Sequence, residues 1–337
     1  MTYTDLLDHR KPLAFHKASS NYQATPLKRV SLAGRDILVK DETARMGLGA
    51  FKAVGGIYAV AQLIAGAMGR SLAGEQFRSQ SVRDKAATMT FVCASAGNHG
   101  MAVAAGAQLF GARSRIHLAD TVPEAFARRL RDKGAEVVRS GATYEDSIAA
   151  AIHDTETTGA LHLADGSWPD YTEPPRLVME GYTVIADEMR SQLSDFGKWP
   201  SQVYLQAGVG GMAAAIALMI RKNWPQQPEI IVVEPEAAPC LRESVQAGKM
   251  VTVEGPVSNM GRLDCKTPSM LALEVLEQAA DRFVTVSDES SENTVEIARE
   301  AGLHSTPSGV AGLTACLSED SGGIPLVVIS EGNVSDN

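Results

Sequence analysis

The sequence predicts an α/β protein made of two open parallel-sheet domains with a cleft between them. Apolar runs of four to six residues alternate with amphipathic or alanine-rich segments of about ten or more, the spacing of βαβ units and hence of parallel strands. The alternation comes in two runs, separated by a Pro- and Gly-containing turn after Asp165. Two layers are therefore expected rather than one. At 337 residues the chain is long enough for two domains sharing one interface.

The elements follow in order. Residues 1–24 are polar and show no strong period. Thr25-Pro26-Leu27 opens an extended segment, because proline steers the residue before it away from helix. Residues 37–39 read as a short buried strand, Gly47 and Gly49 break the chain, and an apolar helix runs from Phe51 to about Met68. Residues 70–87 read as a polar surface connection. In the first run, 88–93, 114–119, 136–139 and 161–164 are expected as strands, and 98–110, 123–133 and 144–153 as helices. In the second, strands are expected at 203–206, 229–233, 283–286 and 326–329. Its helices are expected at 176–193, 211–221, 237–247, 270–280, 287–301 and 307–317, with 248–269 irregular.

Composition excludes several classes. A net charge of -9 with no basic run argues against a nucleic-acid partner. Aromatics at 5% leave little to stack bases on. Cys93, Cys240, Cys265 and Cys316 include no C-x-x-C pair, and the histidines form neither H-x-x-x-H nor H-E-x-x-H, so no metal site is expected. No apolar run reaches membrane-spanning length and the N-terminus carries no signal-like apolar core. No membrane partner and a cytoplasmic location are the expectations.

Three stretches carry chemistry. Lys52 stands in the first turn of an apolar helix, near its positive dipole end and among Ala, Phe and Val. Both features disfavour the ammonium, so a lowered pKa and a nucleophilic amine are expected. A solvated lysine on an amphipathic helix has the same local sequence. Ser95-Ala96-Gly97-Asn98-His99-Gly100 joins a strand to a helix, where free backbone N–H groups hold an anion. A plain N-cap at Ser95 needs no such function. Gly208-Val209-Gly210-Gly211-Met212 also joins strand to helix, and its glycines let the backbone curl around a dianion. It lacks the Gly-Lys-Ser/Thr of a P-loop and the spacing of a dinucleotide fingerprint. A tight βα turn is the simpler reading of those residues alone.

Together with Lys40-Asp41-Glu42, Gly47-Leu48-Gly49-Ala50-Phe51-Lys52, the 14–17 and 22–27 segments, Asp165-Gly166-Ser167-Trp168 and Ser330-Glu331-Gly332-Asn333, these stretches resemble the fold-type II pyridoxal 5'-phosphate (PLP) enzymes of the tryptophan synthase β-like superfamily. Within it they are most similar to the diaminopropionate ammonia-lyases. The resemblance implies that Lys52 binds PLP covalently and that Gly208, Val209, Gly210, Gly211 and Met212 hold its phosphate. It implies that Asn98 lies against the ring hydroxyl and that Ser330 meets the pyridine nitrogen. Ser95, Ala96, Gly97, Asn98 and His99 would receive the substrate, and Asp165 would take the Cα proton of an L-substrate. Tyr171 and residues 179–182 also match. By the same resemblance, residues 1–47 with 166–337 form a larger phosphate-binding domain, residues 48–165 form a smaller one carrying Lys52, and the protein is a homodimer.

The implied activity is α,β-elimination on a small β-substituted L-amino acid, 2,3-diaminopropionate-like, giving a 2-keto acid and ammonia. A serine/threonine or 3-hydroxyaspartate dehydratase is the alternative, and a non-catalytic small-molecule-binding protein a third reading. Two departures stand out. Ala96 replaces an Asp that serves D-substrates in the family, so loss of D-activity is expected. Arg262-Leu263-Asp264-Cys265-Lys266-Thr267 brings charges where the family has small residues, making Arg262 or Lys266 a candidate partner for a substrate carboxylate. A solvated loop explains those charges equally.

Overall fold

The computed structural model describes residues 3–20, 22–319 and 322–333; the expected domain limits at residues 1 and 337 lie outside them. The chain begins α1 (Arg10–Lys17), β1 (Leu27–Leu32), β2 (Arg35–Asp41), α2 (Lys52–Ala67), α3 (Gln80–Ala86), β3 (Thr90–Ala94) and α4 (Asn98–Phe110). It continues β4 (Arg113–Leu118), α5 (Glu124–Asp132), β5 (Glu136–Arg139), α6 (Tyr144–Thr158), β6 (Leu161–His162) and α7 (Glu173–Phe196). Then come β7 (Gln202–Gln206), α8 (Gly211–Asn223), β8 (Glu229–Pro235), α9 (Cys240–Ala247), α10 (Met270–Ala279), β9 (Arg282–Val286), α11 (Asp288–Glu300), α12 (Pro307–Ser318) and β10 (Pro325–Ile329).

The strands form two sheets, a six-stranded one in the order β1-β2-β10-β7-β8-β9 and a four-stranded one in the order β5-β4-β3-β6. The four-stranded sheet is parallel throughout. In the larger sheet β2, β10, β7, β8 and β9 run parallel, but β1 pairs antiparallel with β2 at the edge. The expected all-parallel sheet is thus mixed. The cause is local: Ala33 and Gly34 take φ of 49° and 76°, the left-handed pair that closes a two-residue hairpin. All five residues of β10 are buried, as a central strand covered on both faces requires.

Two stretches expected to be unstructured or exposed are not. Residues 10–17 form α1, which buries His16, whose ring Nε2–H donates to Val54 O at 2.9 Å. Within 70–87, Phe77, Val82 and Ala86 are buried, Phe77 packing edge-on to Phe15 at 5.0 Å. Short helices between polar residues gave no periodic signal long enough to read.

Helix α2 is apolar on every side because it lies between α4 and α7. Its crossing with α7 is a glycine contact. A Cβ on Gly181 would stand 2.5 Å from Val54 O, and one on Gly55 would stand 2.3 Å from Tyr182 Cε1. Ahead of α2 the chain is anchored by a buried charge cluster. Arg45 is fully buried and bonds Glu42 at 2.7 Å and Glu188 at 2.7 and 2.8 Å. Lys40 Nζ meets Glu188 Oε2 at 2.6 Å and Thr25 O at 2.7 Å. The cluster ties β2 to α7 just before the left-handed turns at Met46, Gly47 and Gly49. Those turns deliver Lys52 to the start of α2.

Candidate active site

Parallel strands leave their carboxyl ends along one edge of a sheet, and the loops beyond them converge there. Here the loops after β2, β3, β6, β7 and β10 carry Lys52, residues 95–100, Asp165, residues 207–211 and Ser330 in turn. Hydrogen bonds that join them include Phe51 N to Ser330 O at 3.0 Å, Ser269 N to Val209 O at 2.9 Å, and Ser167 N to Ser269 Oγ at 3.0 Å.

Lys52 Nζ forms an ion pair and hydrogen bond with Asp165 Oδ2. The ammonium also lies 5.1 Å from the Phe51 ring centre and 5.7 Å from that of Tyr182. Burial is the largest single influence and disfavours the ammonium, but Asp165, with Tyr182 and Cys265, outweighs it and holds Lys52 above the ordinary lysine value. This corrects the lowered pKa expected from the helix end and apolar neighbours: the countercharge comes from a residue 113 positions away. Asp165 shows the reciprocal effect. Burial pushes its carboxyl upward, and Lys52 and His99 together hold it well below the usual carboxylate range.

His99 donates Nε2–H to Leu163 O at 2.8 Å, which fixes the tautomer and leaves Nδ1 buried with no partner among the described residues. Burial keeps the ring below the ordinary histidine value. Asn98 begins α4, preceded by Gly97 in extended conformation. Ser95 Oγ accepts from Gly97 N at 3.3 Å, closing the turn that leaves the first amides of α4 facing outward. Gly100 is obligatory because a Cβ there would stand 2.1 Å from Ser95 O. Asn98 Nδ2 donates to Glu331 Oε2, whose other oxygen accepts from Thr306 Oγ1 at 2.5 Å.

The glycine loop after β7 is a cradle that a side chain would fill. A Cβ on Gly208 would lie 2.9 Å from Cys265 Sγ and 3.1 Å from Arg262 O. Gly210, at φ +98°, takes a conformation that L-residues avoid, and Gly211 starts α8. Val209 and Met212 complete the turn. Ser330 is buried at the end of β10, beside this loop in the sheet order.

Two expected substrate contacts are differently employed. Lys266 does not reach the cleft: its ammonium is spent on Asp264 at 2.6 Å, Pro256 O at 2.8 Å and Ala237 O at 2.9 Å, stapling its own loop. Arg262, four residues earlier, is the cation that lies against Gly97. Tyr171 supports rather than lines the site. Its hydroxyl donates to His162 O at 2.9 Å and accepts from Ala164 N at 3.0 Å, while its ring stacks on Trp168 at 4.2 Å. The turn carrying Asp165 is thereby held. Ala96 is half-buried and brings no carboxylate to the loop.

Sequence reasoning missed Ser269 and Glu331 as a partner of Asn98. Ser269 and Glu331 are next to motifs already singled out, which is the signal that was available.

Comparison with known proteins gives the family. Residues 18–330 match the family described as "Pyridoxal-phosphate dependent enzyme". Diaminopropionate ammonia-lyase of Escherichia coli (strain K12) is 33% identical over 283 residues, covering 81% of this chain and 70% of the relative. L-threonine ammonia-lyase of Geobacter sulfurreducens is 32% identical over 245 residues, 73% of this chain and 55% of the relative. Among solved structures, Escherichia coli diaminopropionate ammonia-lyase in complex with D-serine superposes with a TM-score of 0.84 at 27% identity, covering 99% of this chain and 89% of that one. The chain belongs to the PLP-dependent enzyme family, with the fold-type II ammonia-lyases as its kin.

Proposed function

We propose that this protein eliminates the β-substituent of a small β-substituted L-amino acid, 2,3-diaminopropionate or a close analogue, to give a 2-keto acid and ammonia. The ion pair between Lys52 and Asp165, set beside the helix start at Asn98, is the observation that carries the reading. The site fits PLP by its own chemistry. The Gly208–Gly211 cradle suits a phosphate at the start of α8, Lys52 supplies the amine, and Asn98 and Ser330 supply polar atoms for the ring hydroxyl and ring nitrogen. A neutral hydroxyl at Ser330 leaves that nitrogen less fully protonated than a carboxylate partner does, which suits elimination better than transamination.

When bound, PLP supplies the electron sink for negative charge at the substrate Cα. The protein does the rest. Lys52 Nζ loses its proton to solvent as the amine becomes nucleophilic, and Asp165 stays ionised. Once Lys52 has lost its charge, the burial around Asp165 is no longer offset, and the carboxylate becomes a stronger base than it is in the ion pair. Asp165 Oδ2, or the released Lys52 amine, takes the Cα proton. The amides at the start of α4, with Ser95 and His99 around them, orient the substrate carboxylate. The β-substituent leaves with its bonding pair, and the free enamine tautomerises and hydrolyses to keto acid and ammonia.

The domain division 1–47 with 166–337 against 48–165 is part of this reading, supported by the placement of β1, β2 and β7–β10 in one sheet and β3–β6 in the other. So are a homodimer, implied by the family, and a cytoplasmic setting, supported by four free cysteines. No helix of the described residues is long and apolar enough to cross a membrane. Hydroxy amino acids are the second reading, favoured by Ala96. The test is keto-acid release by the PLP-loaded protein from L- and D-2,3-diaminopropionate, L-serine and L-threonine side by side. Release from the L-diamine with little from its D-form is expected. Equal turnover of both enantiomers overturns the role given to Ala96, and no release from any overturns the function.

A further inference from the structure

The geometry points to Arg262 as the residue that selects substrates bearing a second carboxylate on the β-carbon, an inference that rests on the elimination chemistry proposed above. The guanidinium lies flat over the carboxylate-binding turn: a Cβ on Gly97 would meet its Cζ and Nη1 at 3.2 Å. Its backbone is pinned, with Arg262 N donating to Ser308 Oγ at 3.1 Å and Leu263 N to Met260 O at 2.8 Å. The planar group is steadied by the Phe126 ring at 5.7 Å.

Its donors are nevertheless unspent. The nearest acidic oxygen, Glu331 Oε2, is 3.6 Å from Nε, beyond hydrogen-bond distance, and already accepts from Asn98. The guanidinium makes no hydrogen bond among the described residues, although its side chain is only 34% exposed. Lys266 in the same loop has three acceptors. A pre-positioned fork beside the helix start, ion-paired to Glu331 at 3.6 Å but with its hydrogen-bond donors unused, is built for a planar anion. The α4 amides already serve the α-carboxylate, so Arg262 adds a place for another. A β-substituent without a carboxylate leaves the fork unengaged. A dicarboxylic β-hydroxy or β-amino acid satisfies it.

For 3-hydroxyaspartate the step balances without an oxidant. Asp165 takes the Cα proton, the Cβ–O bond breaks with hydroxide leaving as water after protonation, and the enamine tautomerises. Water then displaces ammonia, so one substrate yields one oxaloacetate and one ammonia.

The test uses the PLP-loaded full chain and its Arg262→Ala and Arg262→Lys variants. Calorimetry compares L-aspartate with L-alanine, which share the α-carboxylate and lack a leaving group. The wild type is expected to bind aspartate roughly 10- to 100-fold more tightly than alanine. Arg262→Ala is expected to bring the ratio near one, and Arg262→Lys to keep part of it. Keto-acid release should favour L-threo-3-hydroxyaspartate over L-serine in the wild type, and the preference should collapse in Arg262→Ala. A wild-type ratio near one, or a variant that weakens both ligands equally, overturns the inference. Turnover of monocarboxylic substrates without that preference leaves the elimination reading standing and removes this one. No turnover of any substrate removes both.

Discussion

Replacing Asp165 with Asn separates the two tasks assigned to that carboxylate. The amide keeps the shape but cannot accept a proton. Losing a positioned general base costs typically 10²- to 10⁴-fold, equivalent to about 3–5 kcal/mol of barrier. The effect on the fold is small by comparison. The two side chains keep 20% and 25% of their exposure, so the pair is partly screened and its loss costs on the order of 1 kcal/mol. Lys52 itself is not disabled. Without Asp165, burial remains and disfavours the ammonium, so the free amine becomes easier to form. Cofactor uptake should therefore persist while turnover falls. The assay is kcat/KM for keto-acid release at saturating PLP, with bound PLP measured on the same sample. A variant within about threefold of wild type, or one whose loss tracks missing cofactor, refutes Asp165 as the base.

Other consequences are equally measurable. Gly208→Ala places a methyl 2.9 Å from Cys265 Sγ, so PLP titration should show at least about tenfold weaker binding; unchanged affinity removes that cradle. Glu188→Gln strips the shared partner from buried Arg45 and Lys40 and should cost about 3–5 kcal/mol in urea unfolding, with a loss under about 1 kcal/mol counting against the cluster as an anchor. Burial raises the Glu234 carboxyl from 4.5 to about 7, against hydrogen bonds from Leu241 N and Arg242 N. The folded state thus holds a proton the unfolded chain releases, so Glu234's contribution to stability is fully present below about 4.5 and is lost as pH rises through about 7. The difference in unfolding free energy between wild type and Glu234→Gln should shift by up to about 3 kcal/mol between pH 4 and 8; no shift contradicts the assignment.

The site was legible where chemistry leaves a contiguous trace. Glycine loops at strand ends and a lysine at a helix start are local features, and the structure has them at the expected places. What escaped was set by distant partners. Lys52 is pinned by a carboxylate contributed by the other side of the first alternating run, so no local environment could give the direction of its pKa. Lys40, Glu42 and Arg45 are charged, and they are buried because they satisfy one another and Glu188. Lys266 and Arg262 are alike in sequence, and only the fold decides that one spends its donors in its own loop while the other lies against Gly97, ion-paired to Glu331. The short helix α1 and the buried Phe77 lacked the length that a periodic pattern needs.

The central claim is that Lys52 is the residue to which PLP attaches. Borohydride treatment of the PLP-loaded protein, followed by digestion and mass spectrometry, reads it directly. The account predicts a pyridoxyl mass on the peptide containing Lys52, lost in Lys52→Ala. A reduced adduct on another lysine, or none despite bound PLP, contradicts it.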